Sequence, residues 1–212
     1  MLTQLAYPGH PVRRRIAGLG ACATRRSLAM AALLLACLLV PLRARAVESL
    51  PDLDGVRTVV FERGDGDRQA IATIRFERLA NGRYRFSLQE SATLKEQFLA
   101  MRPFKCLEGS VRTLCMFPFG SEAEVGPGEL WPLEYQLMFL HKAPSAVAID
   151  SRNGIYFRLS AAARGFAAQP NDVDMEPIIV PDGTRDPRRP IAYGDLLPMD
   201  RPPAWLPRLT IE

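Results

Sequence analysis

The side chains able to do covalent or acid–base chemistry are few, and their spacing limits the chemistry open to them. Four cysteines occur, Cys22 and Cys37 near the N-terminus and Cys106 and Cys115 in the middle. C-x8-C is not a zinc-ligand spacing, and no second pair completes a site beside it. It also lacks the C-x-x-C geometry that lowers a thiol pKa for redox work. A structural disulfide closing a tight hairpin is the chemistry that this pair suits. The surrounding run, Phe98 to Phe119, carries four of the ten phenylalanines, with Arg102 and Lys105 just before Cys106. Beyond His10 the chain has a single histidine, His141. A Ser-His-Asp triad would have to use it, with Asp150 as one partner, but no G-x-S-x-G elbow exists.

Other functional signatures are missing or weak. One histidine is too few for the usual zinc catalysis. Neither a P-loop nor a G-x-G-x-x-G run occurs, so no nucleotide is implied and no cofactor is expected. Scattered Asp and Glu leave a carboxylate pair for glycoside hydrolysis open, because spacing in space is not legible in the chain. Arg63-Gly64-Asp65-Gly66-Asp67 contains an Arg-Gly-Asp tripeptide and an Asp-x-Asp pair. A calcium loop needs further oxygen ligands, and positions 69 and 70 are Gln and Ala. Gly and Asp at this density make a turn.

Residues 1–46 have the form of an export signal. Arg13, Arg14, Arg15, Arg25 and Arg26 make a basic region without an acid, Leu28 to Val40 is apolar, and Ala44-Arg45-Ala46 is an A-x-A cleavage site. The apolar run is short of the roughly 20 residues that a spanning helix needs, so no membrane span is expected after cleavage. The mature chain is placed at Val47, in the periplasm or outside the cell. Thr24-Arg25-Arg26-Ser27-Leu28 resembles a twin-arginine signal, whereas the Leu-rich stretch suits the general secretory route; both stay open. Leu34-Leu35-Ala36-Cys37 matches a lipobox only in part.

Removal of this segment reverses the charge. Of 27 Lys and Arg, seven lie in residues 1–46, while all 23 Asp and Glu lie beyond, which leaves 20 against 23 and a net charge of −3. The basic footprint that nucleic acid demands is therefore absent, and no nucleic-acid partner is expected.

Residues 47–212 suit one domain. Val56 to Glu62 is β-branched and predicts a strand. Ala72, Ile74 and Phe76, then Tyr84, Phe86 and Leu88, alternate with polar residues around Asn81-Gly82. A two-residue loop would set Phe76 against Ser87; a three-residue loop with Gly82 left-handed sets Phe76 against Phe86 and keeps one face apolar. Thr93 to Met101 is expected as a short helix stopped by Pro103. Trp131 to His141 is ambiguous: Pro132 and the Leu133, Leu137, Leu140 spacing suit a helix, while the alternating Tyr135, Leu137, Phe139, His141 and the aromatic content favour a strand. Strands follow at Ile155 to Leu159 and Phe166 to Val173. Eight prolines between Pro177 and Pro207 exclude a sheet interior there. Residues 177–212 are expected to wrap the domain, with Trp205 and Leu206 docking and Leu209 to Ile211 as an edge strand. The fold class expected is mainly β (α+β), an antiparallel sheet or a small barrel or sandwich with one or two short helices.

Met101-Arg-Pro-Phe-Lys-Cys106, Leu133-Glu-Tyr135, Phe139-Leu-His-Lys142 and Asn153-Gly-Ile-Tyr156 resemble a family of uncharacterised exported proteins from Gram-negative bacteria. The resemblance spans most of the mature chain and implies export and a single domain, without an activity.

Two functions from different classes follow. One is a non-catalytic module of the cell envelope that binds a protein partner or a small anionic ligand. The other is a hydrolase that uses carboxylates or His141. For the first, Arg102 and Lys105 beside the cysteine bridge, with His141 and Lys142 at the end of the other aromatic segment, are the candidate binding residues. Were the segments adjacent, they would make a small basic patch on an acidic protein.

Overall fold

The computed structural model describes residues 50–212; the export signal expected at 1–46 lies outside them. Period-two alternation builds strands, and twelve occur among the described residues: β1 (Gly55–Glu62), β2 (Arg68–Arg78), β3 (Tyr84–Glu90), β4 (Lys95–Leu99), β5 (Arg102–Leu107), β6 (Thr113–Met116), β7 (Glu124–Val125), β8 (Phe139–Lys142), β9 (Gly154–Ala162), β10 (Gly165–Val173), β11 (Leu197–Pro198) and β12 (Arg208–Ile211). Two short helices, α1 (Trp131–Gln136) and α2 (Glu176–Ile179), and a 3-10 turn at Tyr193–Asp195 complete the elements. The strands form one open antiparallel sheet in the order β4-β5-β6-β8-β9-β10-β12-β1-β2-β3-β7, with β11 on β10. The fold is mainly β.

The two faces of the sheet carry different cores. One face gathers Phe61, Ile74, Phe76, Phe86, Leu107, Leu114, Phe139, Phe157 and Ile211. Members come from both ends of the strand order, so the sheet curls around this core and stays open along a seam. Each fully buried side chain of this size contributes about 1.5–3 kcal/mol. On β5, β6, β8 and β9 the alternate residues Phe104, Cys106, Cys115, Leu140 and Tyr156 form a second core on the other face. A strand buried on both sides needs a cover. Met175, Ile191 and Leu196 of the proline-rich segment supply it, before Trp205 and Leu206 cross to the first core.

The predicted β2–β3 register holds. Phe76 faces Phe86 and Ile74 faces Leu88; Leu79 N–H donates to Arg83 O, and Gly82 takes a φ of 76° in the loop between. Cys106 lies directly across from Cys115 and is bonded to it. Arg63 to Asp67 is the β1–β2 turn, closed by Arg63 N–H to Asp67 O at 2.9 Å.

Three expectations are corrected. Thr93 to Met101 is not a helix: Lys95–Leu99 is β4, paired with β5 from Lys95 opposite Cys106 to Leu99 opposite Arg102. An isolated helix of that length is marginal in water, and pairing next to the disulfide outcompetes it. The Trp131 to His141 segment is no single strand. Trp131–Gln136 is helical, with Pro132 in the first turn, and only Phe139–Lys142 is extended. Residues 209–211 are not at an edge. β12 lies between β10 and β1, with Ile211 opposite both Phe166 and Val59, so the C-terminus joins the two halves of the sheet.

Candidate functional site

The four candidate binding residues occupy two strands separated by β6. Strand parity places Arg102 and Lys142 on one face, with Cys106 and Cys115, and Lys105 and His141 on the other, with Leu107 and Leu114. The Arg102 guanidinium lies 4.8 Å from the ring centroids of both Phe104 and Phe117. Lys105 pairs with Glu96 across the β4–β5 hairpin at 3.1 Å. Lys142 is buried, and its Nζ donates to the carbonyls of Ala143, Pro144 and Ala146, the last at 2.9 Å. His141 lies against Trp205, with ring centroids 4.9 Å apart. Burial, then the nearby Arg112 charge, holds its pKa below the ordinary 6.5. Its expected partner Asp150 is taken by the Arg152 side chain at 2.9 and 3.1 Å. The four therefore do not converge on one basic patch.

A cluster the chain did not advertise sits under the proline-rich cover. Glu134 on α1 has no exposed surface. Its Oε2 accepts from the Tyr156 hydroxyl at 2.6 Å and the Tyr193 hydroxyl at 2.9 Å, and its Oε1 accepts from the Leu159 N–H at 2.8 Å. Burial raises its pKa above the ordinary glutamate value, against these three hydrogen bonds, which act to lower it. Burial also raises the Tyr156 and Tyr193 phenols, with the Glu134 carboxylate as a further cause. Tyr135 beside it both donates to Ile191 O and accepts from Ile191 N–H, and burial pushes it up to about 12. Arg158 and Arg189 stack on the Tyr193 ring at 4.6 and 4.5 Å.

These contacts join α1, β9 and the C-terminal wrap. A carboxyl with a raised pKa is the usual raw material of a general acid. Here the chain itself supplies every partner and the carboxyl has no exposed surface, so Glu134 works as a strut. The signal for it in the chain is an acid flanked by Leu133 and Tyr135, since a fully buried acid must be partnered.

At the other end of the sheet the β4–β5 hairpin presents apolar surface. Phe98 is 73% exposed and Met101 89% exposed. Ala100 and Met101, the two loop residues, have φ of 47° and 65°, a left-handed conformation that favours glycine. Among the described residues no group of three or more His, Cys, Asp or Glu is placed to hold a metal ion. Among them, too, no helix is long and apolar enough to cross a membrane.

What the fold and its sites define is a mainly β protein with one open sheet, a buried acid–tyrosine strut and an apolar hairpin tip. No family model, curated protein or solved structure matches the chain.

Proposed function

We propose that this is an exported protein of the cell envelope that acts as a non-catalytic module binding a protein partner. The observation that carries the reading is the β4–β5 tip. Exposed Phe98 and Met101 stand on a backbone that costs energy to hold, with φ positive at two residues other than glycine, and strain of this kind collects at functional sites. The tip is braced from behind by the Cys106–Cys115 bridge and by Arg102 on Phe104 and Phe117. A rigid apolar anchor loses little entropy on binding, which suits an interface hot spot. The hydrolase alternative is weaker, because Glu134 is fully engaged and His141 lies against Trp205 with no carboxylate hydrogen-bonded to its buried Nδ1 among the described residues. The disulfide and the signal-like residues 1–46 support export, in line with the family resemblance.

A photo-crosslinking residue at position 98 tests the binding role in intact cells. A discrete crosslinked partner that disappears in Phe98→Ser with Met101→Ser, at unchanged melting temperature, supports the module. A hydrolytic activity that His141→Gln or Glu134→Gln abolishes would replace it with the enzyme. N-terminal sequencing of the protein outside the cytoplasm should begin at Val47; retention of Arg13 to Arg26 would refute the cleaved signal.

A further inference from the structure

At the open seam of the sheet one strand position is left unfilled by the described residues. β7 accompanies β3 for two residues, Val125 opposite Tyr84 and Glu124 opposite Arg85, and the Phe86 N–H still reaches Ala123 O at 2.7 Å. Followed back from Ala123, the chain then leaves the β3 edge, turned away at Gly120 with a φ of 84°. Among the described residues no strand lies beside the remaining edge of β3. Parity shows what that edge offers. Leu79 N–H bonds Arg83 O and Ser91 N–H bonds Ile71 O, so the odd-numbered residues of β3 exchange hydrogen bonds with β2 in this register. The N–H and C=O groups of Leu88 and Glu90 therefore point the other way, into a groove of about 750 Å³ between β3 and Pro118, Gly120 and Glu122. A ligand cleft of ordinary size holds roughly 300–1,000 Å³. Phe86 and Leu94 make its floor apolar. Glu90 on one wall and Glu122 on the other have no cationic partner among the described residues, while Lys105 at the groove is already taken by Glu96.

We propose that this groove receives an extended basic segment of a partner protein, which adds to the edge of β3 as a strand in line with β7. The backbone of the segment bonds Leu88 and Glu90, and its alternate side chains lie along the face that Phe86 and Glu90 share, apolar ones on Phe86 and Leu94 and Lys or Arg ones at Glu90 and Glu122. Main-chain pairing supplies affinity and the alternate side chains supply specificity, as in other strand-addition complexes. Two unpaired carboxylates disfavour a second copy of this chain, which would bring the same negative wall, and favour a cationic occupant. The inference rests on the reading of the protein as a binding module but uses a surface other than the hairpin tip.

Panning randomised heptapeptides against the purified protein tests it. The selected peptides should carry apolar residues and Lys or Arg at period-two spacing, on one strand face. Leu88→Pro should weaken the best synthetic peptide at least about tenfold, the size of one lost hydrogen bond. Proline there deletes an N–H that faces the groove and leaves the β2 ladder intact. Methylating alternate backbone amides of the peptide should do the same without altering the protein, which keeps the test decisive if Leu88→Pro lowers the melting temperature. Glu90→Lys with Glu122→Lys should reverse the preference toward acidic peptides. Binding indifferent to Leu88→Pro and to amide methylation overturns the proposal, as does a selection with no basic bias or no binder at all. Peptides lost only in Phe98→Ser with Met101→Ser would reject the groove and leave the binding-module reading standing. Dimerisation abolished by Leu88→Pro would name a second copy as the occupant and overturn the basic partner.

Discussion

The β2–β3 and β4–β5 hairpins use the same antiparallel bonding but are held by different means. In β2–β3 the turn carries its own chemistry: Gly82 sits where a left-handed residue is needed and adopts it at a φ of 76°. The apolar faces then match in register, Phe76 on Phe86. In β4–β5 the loop residues Ala100 and Met101 take positive φ without being suited to it. Their conformation is imposed from outside the turn, by pairing with a strand that the disulfide anchors. A turn favourable by itself makes a hairpin legible in the chain, whereas one enforced by tertiary contacts hides it and leaves strain at the tip.

Several substitutions break or sharpen this contrast. Phe76 is buried between Tyr84 and Phe86, with ring centroids 6.4 and 6.3 Å away. Phe76→Ala should destabilise the protein by about 3–5 kcal/mol in denaturant unfolding; a loss under about 1 kcal/mol would mean that the β2–β3 hairpin does not lean on the core. The second hairpin should answer to its bridge. Cys106→Ser with Cys115→Ser should cost roughly 2.5–3 kcal/mol through loop-closure entropy. Equal stability of the oxidised and reduced protein would refute that anchor. At the turns themselves the signs should oppose. Gly82→Ala should destabilise by about 1 kcal/mol and Ala100→Gly should stabilise by up to about 1 kcal/mol, because a side chain is disfavoured at left-handed φ. If both changes destabilise, the strain assigned to the tip is wrong.

The smallest effect lies outside both hairpins and depends on pH. Folding raises the Glu134 pKa above its ordinary 4.5, so the contribution of its proton is complete below about pH 4.5 and is lost as pH rises through the folded value. Glutamine can still accept from Leu159 N–H and can donate to the tyrosine oxygens. Glu134→Gln should therefore gain stability relative to the wild type as pH rises above 4.5, measured by melting across a pH series. His141 should act in the opposite direction. Its folded pKa lies below 6.5, so its contribution is present above that value and lost as pH falls. A constant difference between wild type and Glu134→Gln at every pH would show that the acid ionises as it does in the unfolded chain.

The chain by itself determined the strands with period-two alternation, the β2–β3 register, the Cys106–Cys115 pairing and the exclusion of the proline-rich stretch from the sheet interior. Each rests on neighbours in sequence: alternation sets a face, Gly82 supplies a left-handed residue, and a short loop sets the two cysteines opposite one another. Only the tertiary structure decided that Lys95–Leu99 is a strand, that α1 interrupts the aromatic run before Phe139, and that β12 lies between β10 and β1. Those outcomes depend on which distant edge is free and which faces need cover. The Glu134 strut was hidden for the same reason, since its partners Tyr156, Leu159 and Tyr193 lie 22, 25 and 59 residues away. A carboxyl buried at that site is tolerable only once all three donors have arrived.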